Sequence, residues 1–467
     1  MATAIGAKKR DNLFTDFWKA ITKGDLFTWL SFLFMGLGLI FKGQVVKGIL
    51  YLLAEVAFIM FMVFFAVYYL KLLPTLGTTA GIIVGYDQPE IFGDAFPLYE
   101  YVHNSFQILL FNVLIFGVIL FFIYVWMRSI SDCYKAHVRK LAGERAPTFT
   151  SEIKTYLNSN FHVTILSLPT LGVLAFTVFP LITMILLAFT NFDRAHLPPA
   201  NLFTWNGLEI FKQIFNLGAE GAVSISETFF RLLGWTIVWA ICATFLNYIF
   251  GMILALLINK KGIKFKKMWR TIFVTTIAVP QFVTLLLMSK ILADEGIVNQ
   301  LLISWGLEPI KFFTGSGLTA KITVIVVNLW VGIPYTMLMT TGILMNIPSS
   351  LYESAKIDGA SPFIMFVKIT LPYMLFVTTP YLITQFIGNL NNFNVIYLLS
   401  GGNPLTSSLY YAGETDLLIT WLYKLSLNQQ MYNLASAIGI LMFVVSASLS
   451  LITYNLSASV KREEEFQ

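Results

Sequence analysis

Eight long apolar stretches, at residues 48 to 70, 105 to 127, 163 to 190, 231 to 258, 271 to 293, 320 to 346, 372 to 400 and 433 to 457, constrain this 467-residue chain more than any other feature. Each exceeds the roughly 18 residues that a helix needs to cross a bilayer. With 57% hydrophobic and 12% charged residues, the chain lacks the polar surface to enclose them all in a soluble core. Inside hydrocarbon only helices or closed barrels satisfy the backbone, and the stretches show no two-residue alternation. The expected fold class is all-α, a polytopic membrane protein with about eight transmembrane helices. The shorter apolar run 27 to 41, followed by Lys42 and Lys47, reads as interfacial or re-entrant.

Charge placement orients these spans. The net charge is +6, but the basic residues flank apolar spans rather than forming a soluble basic face, so they are topology signals and no nucleic acid is expected. Arg128, Lys135, Arg139, Lys140, Arg145 and Lys154 read as one cytoplasmic loop; Lys260, Lys261, Lys264, Lys266, Lys267 and Arg270 read as another. Asp87, Glu90, Asp94 and Glu100, then Asp294 and Glu295, mark outward loops. Eight crossings put both termini, with Lys8, Lys9, Arg10 and Lys461, Arg462, in the cytoplasm. The organisation expected is an appendage over 1–159, a six-helix core over 160–460 and a tail over 461–467.

The six core spans contain no Asp or Glu, and Glu55 in the first span is the acidic exception, which reads either as lying near the membrane edge or paired within the bundle, or as a functional group. Ion-coupled carriers usually need intramembrane carboxylates, so energy should arrive from outside the bilayer. The chain has no Gly-Lys dipeptide and hence no phosphate-binding loop for a nucleotide; an ATPase must be a separate subunit. His103, His137, His162 and His196 lack ligand spacing, so no metal is expected, and no catalytic residue is assigned. The two cysteines, Cys133 in a cytoplasmic loop and Cys242 in a span, offer no disulfide framework.

Between the sixth and seventh spans, residues 348 to 372 form a patterned loop. Ser350 and Glu353 match a capping box that would start a short helix after Pro348, and Gly359 would end it. Phe363, Phe366 and Val367 recur at helical spacing, giving a second short helix with an apolar docking face, while Ala355 and Ala360 permit close approach. In the seventh span, Gln385, Asn389 and Asn392 share one helix face, with Asn391 and Asn394 beside them. Amides there can bond sugar hydroxyls, with Phe386, Phe393 and Tyr397 facing the apolar side of a ring; the alternative is bonding between helices. Upstream, Asn328 to Tyr335 contains Gly332 and Pro334, which would break a span beside a cavity, with Trp330 and Tyr335 adding rings; the alternative, favoured for a Pro kink with aromatics on its own, is plain helix packing.

The segment Glu353-Ser354-Ala355, Gly359-Ala360, Phe366, Ile369, Pro372 closely resembles the Glu-Ala-Ala loop of ABC importer permeases, with Ser354 as its one departure. With Asn328 to Tyr335, Asn389 to Phe393 and Tyr411 to Leu418, residues 160 to 460 resemble the larger permease subunit of bacterial maltose and maltodextrin ABC importers. That resemblance implies a type I importer core in the bacterial cytoplasmic membrane. It implies that Glu353, Ala355, Asp358, Gly359, Ala360, Phe366 and Pro372 couple to an ATPase. It implies a midmembrane sugar site at Val331, Gly332, Tyr335, Gln385, Gly388, Asn389, Asn392 and Asn394. Its partners would be a second homologous permease, two ATPase subunits carrying ATP and Mg, an extracytoplasmic sugar-binding protein, and maltose or maltodextrin; this chain itself would carry no cofactor. The family's best-known pattern has Ser at 385, an aromatic at 388 and an aliphatic at 394, which leaves sugar length and orientation open; some members carry a large insertion where 191 to 230 is short here, so contacts with the binding protein would differ. The alternatives are a permease for a raffinose-type or other α-linked oligosaccharide, an ion-coupled sugar symporter, or a membrane scaffold.

Overall fold

The computed structural model describes residues 12–87, 96–100, 102–216, 224–260 and 262–456. Lys8, Lys9, Arg10, Glu90, Asp94, Lys261, Lys461 and Arg462, the side chain of Asp87 and the tail 461–467 lie outside the described residues. Seven described helices are long and apolar enough to cross a membrane, and a bent helix pair makes an eighth span if counted as one. The chain forms two compact units, Met1–Asn206 and Gly207–Gln467.

In the first unit, three short helices, α1 (Leu13–Lys23), α2 (Leu26–Leu33) and α3 (Leu37–Phe41), precede the spanning helix α4 (Val45–Leu72). A two-stranded antiparallel ribbon, β1 (Ile82–Asp87) and β2 (Phe96–Glu100), follows, which the helical reading did not anticipate. Then come α5 (Ser105–Leu141), α6 (Phe149–Leu157) and α7 (Phe161–Leu187). The residues 128 to 140 expected in a loop continue α5 as helix. At 37 residues and about 1.5 Å per residue it runs to about 55 Å, well past the roughly 30 Å of hydrocarbon. No Gly or Pro interrupts it after Gly117 until Gly143, and buried Ile130, Cys133 and Ala136 keep an apolar face turned inward. Cys133 is therefore helical and packs against Leu39.

That helical extension is bound to the N-terminal helices by charge. Lys135 of the extension pairs with Asp16 at 2.7 Å and its Asp132 with Lys47 at 2.9 Å; Lys47 also reaches Glu152 of α6 at 3.0 Å, and among the N-terminal helices Lys42 pairs with Asp25 at 2.7 Å. Partial burial pushes the Asp25 carboxyl up, but the Lys42 ammonium and the Thr28 hydroxyl and N–H outweigh it and hold it at about 2. Glu55 accepts the Met35 N–H at 2.7 Å, which accounts for the lone acid of the first span as a partnered group.

The second unit begins with α8 (Glu209–Phe215) and α9 (Ile225–Asn259), the latter with a π-helical turn at Cys242–Leu246. The stretch 271 to 293, expected as one span, is instead two helices, α10 (Lys266–Ala278) and α11 (Gln281–Ile291), bent by 89°. Pro280 explains the break: it pushes Val279 out of the helical region into extended backbone, ψ 124, and α11 starts immediately after it. After α12 (Ile297–Ser304) comes α13 (Gly317–Leu344), which runs unbroken through Pro334, so the break expected at Asn328 to Tyr335 lies in the preceding span.

The loop 348 to 372 contains α14 (Ser349–Ile357), which begins after Pro348 as expected but without a side-chain cap, so the Ser350–Glu353 box does not form. The expected second short helix is the first turn of α15 (Pro362–Leu390), capped by Ser361 through the Ile364 N–H. Helix α15 ends at Leu390; Asn391 and Asn392 turn the chain, and α16 (Phe393–Leu399) completes what was read as one span. Helices α17 (Leu418–Tyr423) and α18 (Tyr432–Leu456) close the unit. One of its cores joins Trp235 and Trp239 of α9, Leu285 of α11, Val324 and Val327 of α13, and Val395, Ile396 and Leu399 of α16. Around Glu414, Arg231 at 2.6 Å and Lys321 at 3.0 Å fasten the loop after α16 to α9 and α13.

Candidate functional site

The break between α10 and α11 opens onto a cavity of about 900 Å³. Unpaired backbone at membrane depth is tolerated where it lines such a space. Val279, Pro280 and Gln281 form one wall, while Trp330, Val331, Gly332 and Tyr335 of α13 form another. Tyr381, Gln385, Gly388 and Asn389 of α15, with Asn392 in the turn, form the third, and α9 adds Thr244 and Asn247.

Local packing sets which groups face inward. A Cβ on Gly332 would stand 2.6 Å from the Asn247 amide, so only glycine lets α13 approach α9 there. A Cβ on Gly388 would meet nothing within 4 Å, since it points into open space. Asn392 Nδ2 donates to Asn389 Oδ1 at 3.2 Å, and Asn389 Nδ2 donates to Thr244 Oγ1 at 2.9 Å. Asn392 Oδ1 also accepts the Val395 N–H at 3.2 Å and so caps α16. The asparagines thus join helices and line the cavity at once. Asn247 Nδ2 donates to Ala243 O at 2.7 Å, while its Oδ1 is buried with no hydrogen-bond partner among the described residues. The Tyr335 and Tyr381 rings lie 6.5 Å apart, tilted by 32°.

No described residue lining the cavity is charged. Amides, hydroxyls and aromatic faces without counter-charges suit a neutral, hydroxyl-rich ligand with an apolar ring face. Seven residues expected at the site, Val331, Gly332, Tyr335, Gln385, Gly388, Asn389 and Asn392, come together here; Asn394 does not. Asn394 is exposed on α16, because the turn at 391 and 392 ends the helical spacing that was to align it. Asn391 is exposed too and donates to Ile387 O at 3.3 Å. Thr244, Asn247, Gln281 and Tyr381 were missed. The lone Asn of the 231 to 258 span and the Val279-Pro280 step were the available signals.

The loop 348 to 372 lies at the other end of α15. There α14 ends in a full Schellman turn: the Ala360 N–H donates to Ala355 O at 2.9 Å, the Gly359 N–H to Lys356 O at 3.1 Å, and Gly359 has φ +75. Glu353 and Asp358 are exposed. Ile357 and Phe363 are 87% and 74% exposed, two apolar side chains that the described residues leave uncovered. Phe366 turns inward and packs on Tyr248, Met252 and Met374, Tyr352 bonds Thr370 at 2.8 Å, and Pro372 lies in the first turn of the straight part of α15. The corner is thereby fixed to the helix that carries the cavity's amides.

Residues 247–462 match the family of binding-protein-dependent transport system inner membrane components. The maltodextrin transport system permease protein MdxF of Bacillus subtilis (strain 168) is 33% identical over 446 residues, 92% of this chain and 95% of that one. The chain belongs to this permease family. The galactooligosaccharides transport system permease protein GanP of the same organism is 40% identical over 302 residues, 64% of this chain and 71% of that one. Among solved structures, a bacterial ABC transporter involved in the import of the acidic polysaccharide alginate matches with a TM-score of 0.53 and 25% identity, over 66% of this chain and 98% of that one. The resemblance read from the Glu-Ala-Ala loop is borne out, and this permease is the multi-pass membrane component of a binding-protein-dependent ABC importer, a transport subunit rather than an enzyme. Family membership sets aside the symporter and scaffold readings.

Proposed function

We propose that this permease translocates maltodextrins, delivered by an extracytoplasmic sugar-binding protein, through the cavity between α9, α11, α13 and α15. The observation that carries the reading is a large uncharged cavity lined by Gln385, Asn389, Asn392 and Asn247 amides beside the Trp330, Tyr335 and Tyr381 rings. Such a lining hydrogen-bonds hydroxyls, supports a sugar ring, and offers an ion nothing to pair with. Val331, Gly332 and Gly388 shape the space, and Asn394 has no part in it. The maltodextrin permease of B. subtilis, similar over nearly the whole of both chains, supports the choice of sugar.

A second homologous permease completes the pathway, and two ATPase subunits, which hold ATP and Mg, dock on the corner formed by α14 and the start of α15. Glu353, Ala355, Asp358, Gly359, Ala360, Phe366 and Pro372 form that corner, and the exposed Ile357 and Phe363 supply its apolar contact. Both termini are cytoplasmic and the protein resides in the cytoplasmic membrane. A second reading, uptake of galactooligosaccharides, is favoured by the 40% identity to the B. subtilis permease for those sugars. The assay that separates the two is ATP hydrolysis by the reconstituted complex with its binding protein. Stimulation by maltotriose and not by galactosyl oligosaccharides supports the first reading; the reverse replaces it with the second.

A further inference from the structure

A second cavity of about 820 Å³ lies beyond the far end of α16, formed by the loop 401 to 412 and by residues 424 to 429. In chain order it is on the opposite side of the central cavity from the coupling corner. Asn392, on the central cavity's wall, caps α16, and Gly401, on this cavity's wall, follows its end. At about 1.5 Å per residue the nine steps between them cover roughly 13 Å.

The lining combines the rings of Tyr410 and Tyr411 with polar Asn403, Thr406, Asn428 and Gln429. The two rings lie 4.7 Å apart at 74° to each other. Lys424 is the one cation among the described lining residues, and its ammonium lies 2.6 Å from the fully buried Asp416, so the pair brings no net charge. Asp416 also accepts the Gly413 N–H at 2.7 Å and the Thr420 hydroxyl at 2.9 Å. A Cβ on Gly402 would collide with Asp416 and Lys424, so the loop closes tightly over the pair.

The wall is held in a costly conformation. Tyr411 has φ +49 and is 51% exposed, a bulky aromatic residue in the left-handed region. Tyr410 fixes it there: its N–H donates to the Thr228 hydroxyl at 2.9 Å, and its carbonyl accepts the Trp421 indole N–H at 2.7 Å. Strain of this kind persists where surrounding structure enforces it, and it clusters at active sites, ligand clamps and switch segments.

We infer that this cavity is a second saccharide subsite, which holds one end of a longer neutral oligosaccharide while the other end enters the central cavity. The inference rests on the oligosaccharide reading above. A disaccharide needs the central cavity alone, so the subsite acts on chain length.

The test is uptake of labelled maltose and maltoheptaose by the complete importer with its binding protein, in the parent and in Tyr411→Gly and Asn428→Ala. Glycine accepts the left-handed backbone and removes the ring without strain; Asn428 is exposed, so its truncation leaves packing intact. Each variant is expected to raise KM for maltoheptaose about tenfold, with kcat and the maltose KM unchanged. Equal effects on both sugars, or none on either, overturn the subsite. Absence of uptake of both sugars by the parent importer refutes the maltodextrin reading instead.

Discussion

Gly359 offers a clean test of how the coupling corner works, because its backbone and its surroundings separate. Its φ of +75 lies in the left-handed region, and a Cβ there would meet nothing within 4 Å. Substitution therefore acts through the backbone alone. A valine, whose branched Cβ disfavours that region, costs about 1–2 kcal/mol or more, which shifts the population of the Schellman corner roughly 5–30-fold. Asparagine tolerates the region and costs little. The expected outcome is that Gly359→Val inserts normally but loses most ATPase co-purification and sugar-stimulated ATP hydrolysis, whereas Gly359→Asn keeps most of both. Equal behaviour of the two variants, either both intact or both uncoupled, would refute the argument that backbone conformation sets the corner.

Two further outcomes follow from the geometry. A Cβ at Gly388 meets nothing within 4 Å, so Gly388→Trp directs a large ring into the central cavity, and uptake should fall about tenfold or more while the thermal unfolding of the purified permease stays unchanged; undiminished uptake would remove α15 from the pathway. Asp25, held at about 2, stabilises the α2 cap while it is ionised: the stabilisation is complete above its ordinary value of 3.8 and is lost as pH falls through about 2. Asp25→Asn should therefore raise hydrogen exchange across Leu26–Leu33 at neutral pH, with the difference from the parent shrinking below about pH 4; a difference independent of pH would mean that the Lys42 pair contributes nothing.

The long apolar stretches and the helix stop at Gly359 were legible in the sequence because each depends on local chemistry. Stretch length dictates a spanning helix, and Gly359 after α14 dictates a left-handed stop. The details that failed depend on competition between signals. Pro280 and Pro334 both lie in apolar spans, yet of the two only Pro280 breaks its helix; α13 is packed against α9 through Gly332, Thr336 and Gly251, and stays helical through Pro334. The asparagine cluster was read with uninterrupted helical spacing. The chain in fact turns at Asn391 and Asn392, so Gln385, Asn389 and Asn392 reach the cavity while Asn394 faces away. The helical run of α5 through Arg128 to Lys140 was hidden because basic residues mimic a loop, although their partners Asp16 and Asp132 are buried. Asn247 is a weak signal because a single amide in an apolar span has no spacing to align it with a partner; the approach of Gly332 shows where it lies.

The central claim, that this permease moves an α-linked glucose oligomer under the control of an ATPase docked on the coupling corner, is tested most directly by labelled maltotriose uptake. The measurement uses cells carrying the permease with its partner permease, ATPase and binding protein, with and without Glu353→Lys. Uptake by the parent that disappears in the variant, with the variant still present in the membrane, is the predicted result. No maltotriose uptake by an assembled parent complex whose ATP hydrolysis responds to another sugar would contradict it.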